Sequence, residues 1–327
     1  MIVSFYDLVL IFISLTSFSI YSILIKKHQH KMVLMFWANL ITYLGFLCAF
    51  FIKKLFLPDH NIVVAIKELI FKFTYTNMPL YFLMGIIFVA SLIVLQKLFE
   101  NYDISVVMSL TQISVLLTAI GYLILGDPLY LPSLIGIAII CLGSLISAFK
   151  SIFKHSIAHN IRNIPKKLLS GAFIESLLLT GAALITYQCT QQTNITEWIM
   201  SSLKHIHSIP FSHLNPFFFN IGVRFFITVT FLIYLYLYEK KGHMILNMMK
   251  NEPLKIISAG LVYFTACYTY QMAYLLTSNK NFLAVTMKLG IPVTLLFGLL
   301  FLNEKITPPK AIGTVLILFG GLLTVLL

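Results

Sequence analysis

Ten long apolar runs constrain the fold of this chain more than any other feature of its sequence. Each contains about 20 residues, enough for a helix to span a hydrocarbon core of about 30 Å. Because lipid cannot satisfy free backbone N–H and C=O groups, such segments form helices. The sequence therefore predicts an all-α integral membrane protein with ten transmembrane helices. The runs cover residues 5–25, 32–52, 79–99, 104–125, 131–149, 168–188, 215–238, 254–276, 282–302 and 309–327.

The composition agrees with this fold class and excludes several functions. Hydrophobic residues make up 59% of the 327 residues and charged residues only 10%. The formal net charge is +12, but the Lys residues lie mostly at the ends of apolar runs, where they meet lipid headgroups. We therefore predict no nucleic-acid partner. The chain has no nucleotide-binding or catalytic motif and no ligand spacing typical of a metal site, so we predict no enzyme activity, no cofactor and no metal.

The chain also resembles itself at an offset of 177 residues. The matched residues are of rarer types, which makes chance agreement in an apolar sequence a poor explanation. They pair Asp127 with Glu304, Pro132 with Pro309, Gly136 with Gly313 and Gly143 with Gly320. The offset predicts a five-helix repeat over 1–149, a basic linker over 150–167 and a second repeat over 168–327. Since five is odd, the two repeats would be inverted, a plan typical of secondary transporters.

The repeated turn and glycine residues have structural interpretations. Asp127 and Glu304 each precede a helix start, where a carboxylate is favoured by the positive helix end. The glycines of each half, Gly136 with Gly143 and Gly313 with Gly320, are two turns apart, so we predict that they pack helices closely. Pro292 lies midway along the ninth run and predicts a kink or hinge there.

Three charged residues fall inside apolar runs: Glu175, Arg224 and Lys288. Intramembrane charges are costly and are candidates for functional residues. Their depths predict that Glu175 pairs with Arg224, either as a structural ion pair or within a coupling or substrate site. Lys288 then lacks an obvious acidic partner. It either extends its stem toward the membrane surface or meets the carboxylate or phosphate of a substrate.

Neutral polar residues extend this candidate site. Their depths place them near the charged residues, and the alternative for each is a hydrogen bond between helices. They are Thr111, Gln112, Tyr187, Gln188, Tyr268 and Gln271.

The turn at the end of each half resembles a known family. The first half carries Gly126-Asp127-Pro128-Leu129 followed by Leu134-Ile135-Gly136-Ile137, and the second carries Asn303-Glu304-Lys305-Ile306 followed by Ala311-Ile312-Gly313-Thr314. These segments resemble the drug/metabolite transporter superfamily, in particular its ten-helix EamA-like branch, although Asn303 replaces the usual Gly. The resemblance implies a central cavity lined by helices one to four and six to nine, with helices five and ten peripheral.

Together these observations predict a secondary transporter that moves a small metabolite or drug across the membrane by alternating access. The metabolite is an amino acid or another small organic anion or zwitterion, with a proton or counter-substrate for coupling and membrane lipids as the other partners. A non-transporting scaffold or sensor is the alternative, followed by a membrane enzyme. The distribution of Lys and Arg predicts both termini outside the cytoplasm, whereas the resemblance implies termini inside and a bacterial inner membrane.

Overall fold

A computed structural model of the chain describes residues 5–55, 78–111, 113–124, 131–157, 166–190, 216–276, 290–304 and 307–326. These residues form α-helices joined by short turns, and the described part contains no strand. The helices are α1 Phe5–Lys27, α2 Lys31–Leu55, α3 Met78–Asn101, α4 Ile104–Leu110, α5 Ile113–Ile124, α6 Leu131–Ile157, α7 Lys166–Thr190, α8 Pro216–Leu237, α9 Gly242–Asn251, α10 Pro253–Leu276, α11 Gly290–Leu302 and α12 Pro308–Leu326.

Five helices in the described part are long and apolar enough to cross a membrane: α1, α2, α3, α7 and α8. Shorter apolar segments lie in α6, α11 and α12. Helix α10 has 24 residues, but its buried face carries polar side chains such as Thr269 and Gln271, which lower its hydropathy. The all-helical membrane fold is therefore confirmed, whereas the full set of ten spans stays a prediction.

The fourth predicted run is not one continuous helix. It is divided into α4 and α5 at Thr111, whose hydroxyl donates to the Met108 carbonyl at 3.0 Å. The described part of α11 starts at Gly290, so Pro292 lies close to the edge of the described residues, and the kink or hinge there stays a prediction.

The packing of the helices follows the repeat in the sequence. In the repeat, the helices α1, α2, α3, α5 and α6 would correspond, in that order, to α7, α8, α10, α11 and α12. Packing of α1 on α10 then corresponds to packing of α7 on α3, and both contacts occur. The same holds for α2 on α10 with α8 on α3, and for α1 on α11 with α7 on α5. Pairs that correspond to themselves, α2 with α8 and α6 with α12, are also packed together. This is the pattern expected of two related halves, and their inverted orientation stays a prediction.

Hydroxyl groups make equivalent contacts at the starts of α11 and α5. The Ser19 hydroxyl of α1 lies 3.4 Å from the Gly290 carbonyl. In the other half, the Thr180 hydroxyl of α7 donates to the Ser114 carbonyl at 3.4 Å. Each contact joins a long helix to the first described turn of a shorter one.

Glycines allow α6 and α12 to approach until their backbones touch. A Cβ atom at Gly143 would lie 2.6 Å from the Gly313 carbonyl oxygen, and one at Gly320 would lie 2.6 Å from the Gly136 carbonyl oxygen. Real Cβ atoms essentially never come this close to a backbone atom. Small residues at these positions are therefore required for the contact between α6 and α12.

We expect Gly143→Ala to lower the free energy of unfolding by about 1–3 kcal/mol, because the added methyl group must push α12 away from α6. Gly181→Ala is the matched control, since a Cβ atom there meets nothing within 4 Å and Ala favours a helix over Gly. Thermal unfolding of the detergent-purified protein, followed by size-exclusion chromatography, measures both. Equal midpoints for the two variants would contradict the close contact.

Candidate functional site

A column of polar side chains lies between α8 and α10. Asn220 and Arg224 are one turn apart on α8, and Tyr263, Cys267 and Gln271 follow each other at one-turn spacing on α10. The Asn220 side-chain amide donates to the Gln271 side-chain oxygen. Residues four apart lie on the same face of a helix, so the two helices present matching polar faces to one another.

Arg224 is the charged centre of this column. Its Nη1 donates to Asn39 Oδ1 at 3.1 Å and to the Tyr263 hydroxyl at 2.8 Å. Its Nη2 lies 3.0 Å from Cys267 Sγ. The guanidinium also lies 5.0 Å from the centre of the Tyr263 ring, and that ring stacks on Tyr21 at 4.2 Å. Helices from both predicted halves, α1 and α2 as well as α8 and α10, therefore surround the charge.

All of these partners are neutral, although Arg224 is only 9% exposed. Among the described residues, no carboxylate lies within ion-pair distance of the guanidinium. A guanidinium remains charged in proteins, so a positive charge is held here by dipoles and an aromatic ring. Such a site can accept an anion without first breaking an ion pair.

The described contacts of Arg224 do not include Glu175, its predicted partner. Glu175 lies on α7, and Ser91 of α3 donates to its Oε1 at 3.5 Å. Helix α3 packs against both α7 and α8. The two residues do share a similar predicted depth, but depth does not specify the direction in which each side chain leaves its helix.

Glu175 instead belongs to a hydroxyl-rich contact near the division between α4 and α5. It is 2% exposed. The neighbouring Ser176 hydroxyl donates to the Thr111 carbonyl at 3.2 Å, where α4 ends. Thr111 is therefore brought close to Glu175 by α7 and not to Arg224. The arrangement places one carboxylate next to a helix break inside the membrane segment.

Three polar atoms around Arg224 have no hydrogen-bond partner in the described part of the chain. They are Arg224 Nε, Gln271 Nε2 and the Tyr21 hydroxyl oxygen. Gln271 is 3% exposed and Tyr21 5% exposed. All three atoms carry hydrogens that they can donate. A buried donor without a partner is costly, so the column is complementary to a ligand rich in acceptors.

The other predicted site residues are separated from this column or lie outside the described residues. The Tyr268 ring packs on Phe46 and Phe264, with centroids 5.9 and 5.5 Å away. Tyr187 and Gln188 fall in the last turn of α7, where side chains are not described, and Gln112, Asp127 and Lys288 lie outside the described ranges.

Glu304 contacts a second helix start besides the one that it precedes in the chain. It precedes α12, and its Oε1 accepts a hydrogen bond at 2.9 Å from the backbone N–H of Ile104, the first residue of α4. Asn303 just before it has φ 54°, a left-handed conformation that Gly and Asn adopt readily at helix ends. The Asn that replaces Gly in the turn motif thus fits the backbone.

A second polar contact lies outside the membrane-spanning segments, where His28 Nε2 approaches Glu252 Oε2 at 2.6 Å. The His30 N–H donates to His28 Nδ1 at 3.0 Å, which places the imidazole hydrogen on Nε2. The hydrogen bond from His28 is the main reason that the pKa of Glu252 is lowered. The hydrogen bond between His28 and Glu252 stabilises the fold at neutral pH, and this stabilisation is lost as the pH falls through the lowered pKa of Glu252.

Sequence reasoning missed five residues of the Arg224 site: Tyr21, Asn39, Asn220, Tyr263 and Cys267. The one-turn spacing of Tyr263, Cys267 and Gln271 on α10 was a usable signal. The contributions of α1 and α2 had no such signal, because the residues lie far from Arg224 along the chain and meet it only through helix packing.

We expect Tyr263→Phe to lower the free energy of unfolding by about 1.5–3 kcal/mol, because it removes a hydrogen bond to a buried charge while keeping the ring. Tyr268→Phe is the matched control, since Tyr268 lies on the same helix and packs on aromatic rings. Midpoints of thermal unfolding in detergent measure the difference. An equal fall of the midpoint in both variants would show that the Arg224 contact is unimportant for stability.

Comparison with known proteins adds the family. No curated protein matches the chain. The sequence profile of the EamA-like transporter family matches residues 204–326, a range that contains α8 to α12 and the Asn220, Arg224, Tyr263, Cys267 and Gln271 column. The resemblance inferred from the turn motifs is thereby confirmed. Residues 204–326 are an EamA-like transporter family domain, and the chain is an integral membrane protein that carries this domain of the drug/metabolite transporter superfamily.

Proposed function

We propose that this protein is a secondary transporter that moves a small organic anion or zwitterion across the membrane by alternating access, with Arg224 as the group that meets the substrate's negative charge. The observation that carries the proposal is the burial of Arg224 among neutral partners only. The EamA-like domain supports transport, and the charge supports the substrate class.

The physical argument concerns the cost of a buried cation. The Arg224 guanidinium attracts an anion strongly where water is excluded and the local dielectric constant is low. A carboxylate that enters next to Arg224 gains a charge-assisted hydrogen bond and offsets the burial of the guanidinium. A neutral or cationic substrate would not gain this charge-assisted hydrogen bond and would not offset the burial of the guanidinium.

The position of Arg224 also suits alternating access. Its partners come from α2 and α10, and Tyr21 stacks on one of these partners from α1. Rocking of one predicted half against the other would change the contacts around the charge on both sides. The buried carboxylate of Glu175, beside the break between α4 and α5, is the group that we assign to a coupling proton.

Uptake into proteoliposomes tests the proposal. With labelled 4-hydroxybutyrate, 4-aminobutyrate, lactate and alanine as probes, we expect saturable uptake of at least one carboxylate. Arg224→Gln should raise its apparent KM by about tenfold or more, since a charge-assisted hydrogen bond is lost. Arg224→Lys should rescue only in part, because a point charge does not reproduce the planar guanidinium.

Lys250→Gln serves as the control, since Lys250 is exposed on α9. Size-exclusion profiles establish that each variant is folded. Uptake of amines but not of carboxylates, or equal kinetics in wild type and both Arg224 variants, would refute the substrate class. Absence of uptake for every probe and every small metabolite in a wider panel would favour a scaffold or sensor.

A further inference from the structure

The unpartnered donors around Arg224 carry a more specific inference, which rests on the proposed function. Arg224 Nε, Gln271 Nε2 and the Tyr21 hydroxyl are each part of a side chain that is more than nine-tenths buried. They belong to three different helices, α8, α10 and α1. Their common property is that they donate hydrogen bonds.

The spacing of the donors divides them into two groups. Tyr21 stacks on the same Tyr263 ring that lies against the guanidinium, so its hydroxyl belongs with Arg224. Gln271 is one turn beyond Cys267 on α10, which separates it from the guanidinium contact by about 6 Å along the helix. A ligand that satisfies all the donors therefore needs two acceptor groups about 5–6 Å apart.

We infer that the substrate is a small organic acid with a second, uncharged acceptor, and that Gln271 and Tyr21 determine this specificity. Its carboxylate binds between Arg224 and Tyr21, and its hydroxyl or carbonyl group accepts from Gln271. An ammonium group at the second position is disfavoured, because Gln271 presents N–H groups there and its side-chain oxygen already accepts from Asn220. The site thus prefers an organic anion to a zwitterion of the same length.

Competition between two isosteric probes tests this inference. 4-Hydroxybutyrate and 4-aminobutyrate differ only in a hydroxyl or ammonium group at the end opposite the carboxylate. In wild-type proteoliposomes we expect 4-hydroxybutyrate to compete about tenfold better. Gln271→Glu should reverse the preference, since it replaces a donor by a negative acceptor. Tyr21→Phe should weaken binding of both probes equally.

Thr269→Ala and Tyr268→Phe are the controls, since Thr269 bonds within its own helix and Tyr268 packs on aromatic rings. They should leave the ratio between the probes unchanged. If the protein transports carboxylates but Gln271→Glu does not change the ratio, the inference is wrong while the proposed function stands. If no probe is transported, the proposed function itself fails.

A separate observation concerns the membrane face at which α1 ends, where four charged residues form a cluster. Glu304 Oε1 accepts from the Ile104 N–H at 2.9 Å and lies 3.7 Å from Lys26 Nζ. Lys310 Nζ lies 3.0 Å from Asp103 Oδ2 and 3.7 Å from Glu304 Oε2. The charge cluster of Lys26, Asp103, Glu304 and Lys310 therefore connects α1 and the α3–α4 turn with the α11–α12 turn.

Directly beneath the charge cluster lies a group of apolar side chains from the same helices and α7. Val107 of α4 is fully buried there, and α4 packs against α11. The group consists of hydrophobic side chains, and the Tyr102 side chain is among those packed against it. Its members are Ile23, Leu98, Phe99, Ile104, Val106, Val107, Leu110, Leu168 and Ala172, with Phe297 and Leu302 among the partly buried residues that pack on them.

We propose that the charge cluster is a latch that holds this face of the transporter closed. It spans the two predicted halves, so it must break when they separate at this face. Glu304 and Lys310 have their repeat positions at Asp127 and Ser133, so the sequence has no cation at the position that corresponds to Lys310. The latch therefore favours the state that is closed at the Lys26 face.

Labelling of a buried cysteine measures the opening. Val107→Cys lies under the latch and should react slowly with a membrane-impermeant maleimide, with the parent protein as the blank for native cysteines. Adding Glu304→Gln should accelerate the reaction about tenfold, because it weakens the charge-assisted hydrogen bond from the Ile104 N–H and removes the ion pairs with Lys26 and Lys310. Lys310→Asp alone should also be labelled faster. The double variant Asp103→Lys/Lys310→Asp, which exchanges the two charges, should restore slow labelling.

Lys250→Gln, which removes an exposed charge outside the cluster, should not change the rate. Rapid labelling of Val107→Cys in the otherwise wild-type protein would overturn the proposal, because the face would then be open. Equal rates for Glu304→Gln and Lys250→Gln would also overturn it. Size-exclusion profiles separate latch opening from misfolding.

Discussion

The structure depends on one constraint: inside lipid, every polar group must find its partner within the protein. Helices meet this requirement for the backbone, and the hydroxyl side chains follow the same rule by donating to carbonyls one turn earlier. Examples are Thr42 to Ala38, Ser144 to Ile140 and Thr228 to Arg224. The donors without a partner around Arg224 depart from this pattern, as do Gln96 Oε1, Thr230 Oγ1 and Thr307 Oγ1 elsewhere in the described part of the chain. A polar atom left unsatisfied in such a medium is a reason to look for a ligand.

The same constraint explains how a charge can remain in the interior. Arg224 keeps its charge because Asn39, Tyr263 and Cys267 supply dipoles, and the Tyr263 ring supplies a negative face. A partner carboxylate would have neutralised the site and reduced its attraction for an anion. The neutral surroundings are therefore better suited to a transported ligand than an ion pair would be, since a buried pair is costly to break from one side.

The Arg224 column and the charge cluster lie at different depths and have different roles. The column, at the contact of α8 with α10, offers donors to a ligand, while the cluster and its apolar layer close one face. Both combine residues from the two predicted halves, so one relative movement of the halves would alter both. The glycine contact between α6 and α12 lies outside the Arg224 column, whereas Lys310 of the charge cluster lies one turn before Gly313 on α12.

The sequence by itself determined the membrane fold, the helical class, the EamA-like domain and the presence of an intramembrane Arg224, because hydropathy and motif spacing are local properties. It also indicated the 177-residue correspondence, with which the pattern of helix packing agrees. Only the tertiary structure decided the partners. Depth along a helix can be counted from the sequence, but the direction of a side chain around the helix axis depends on which neighbours pack there. For that reason Glu175 faces Ser91, Arg224 meets Asn39 and Tyr263, and Glu304 accepts from the first N–H of α4.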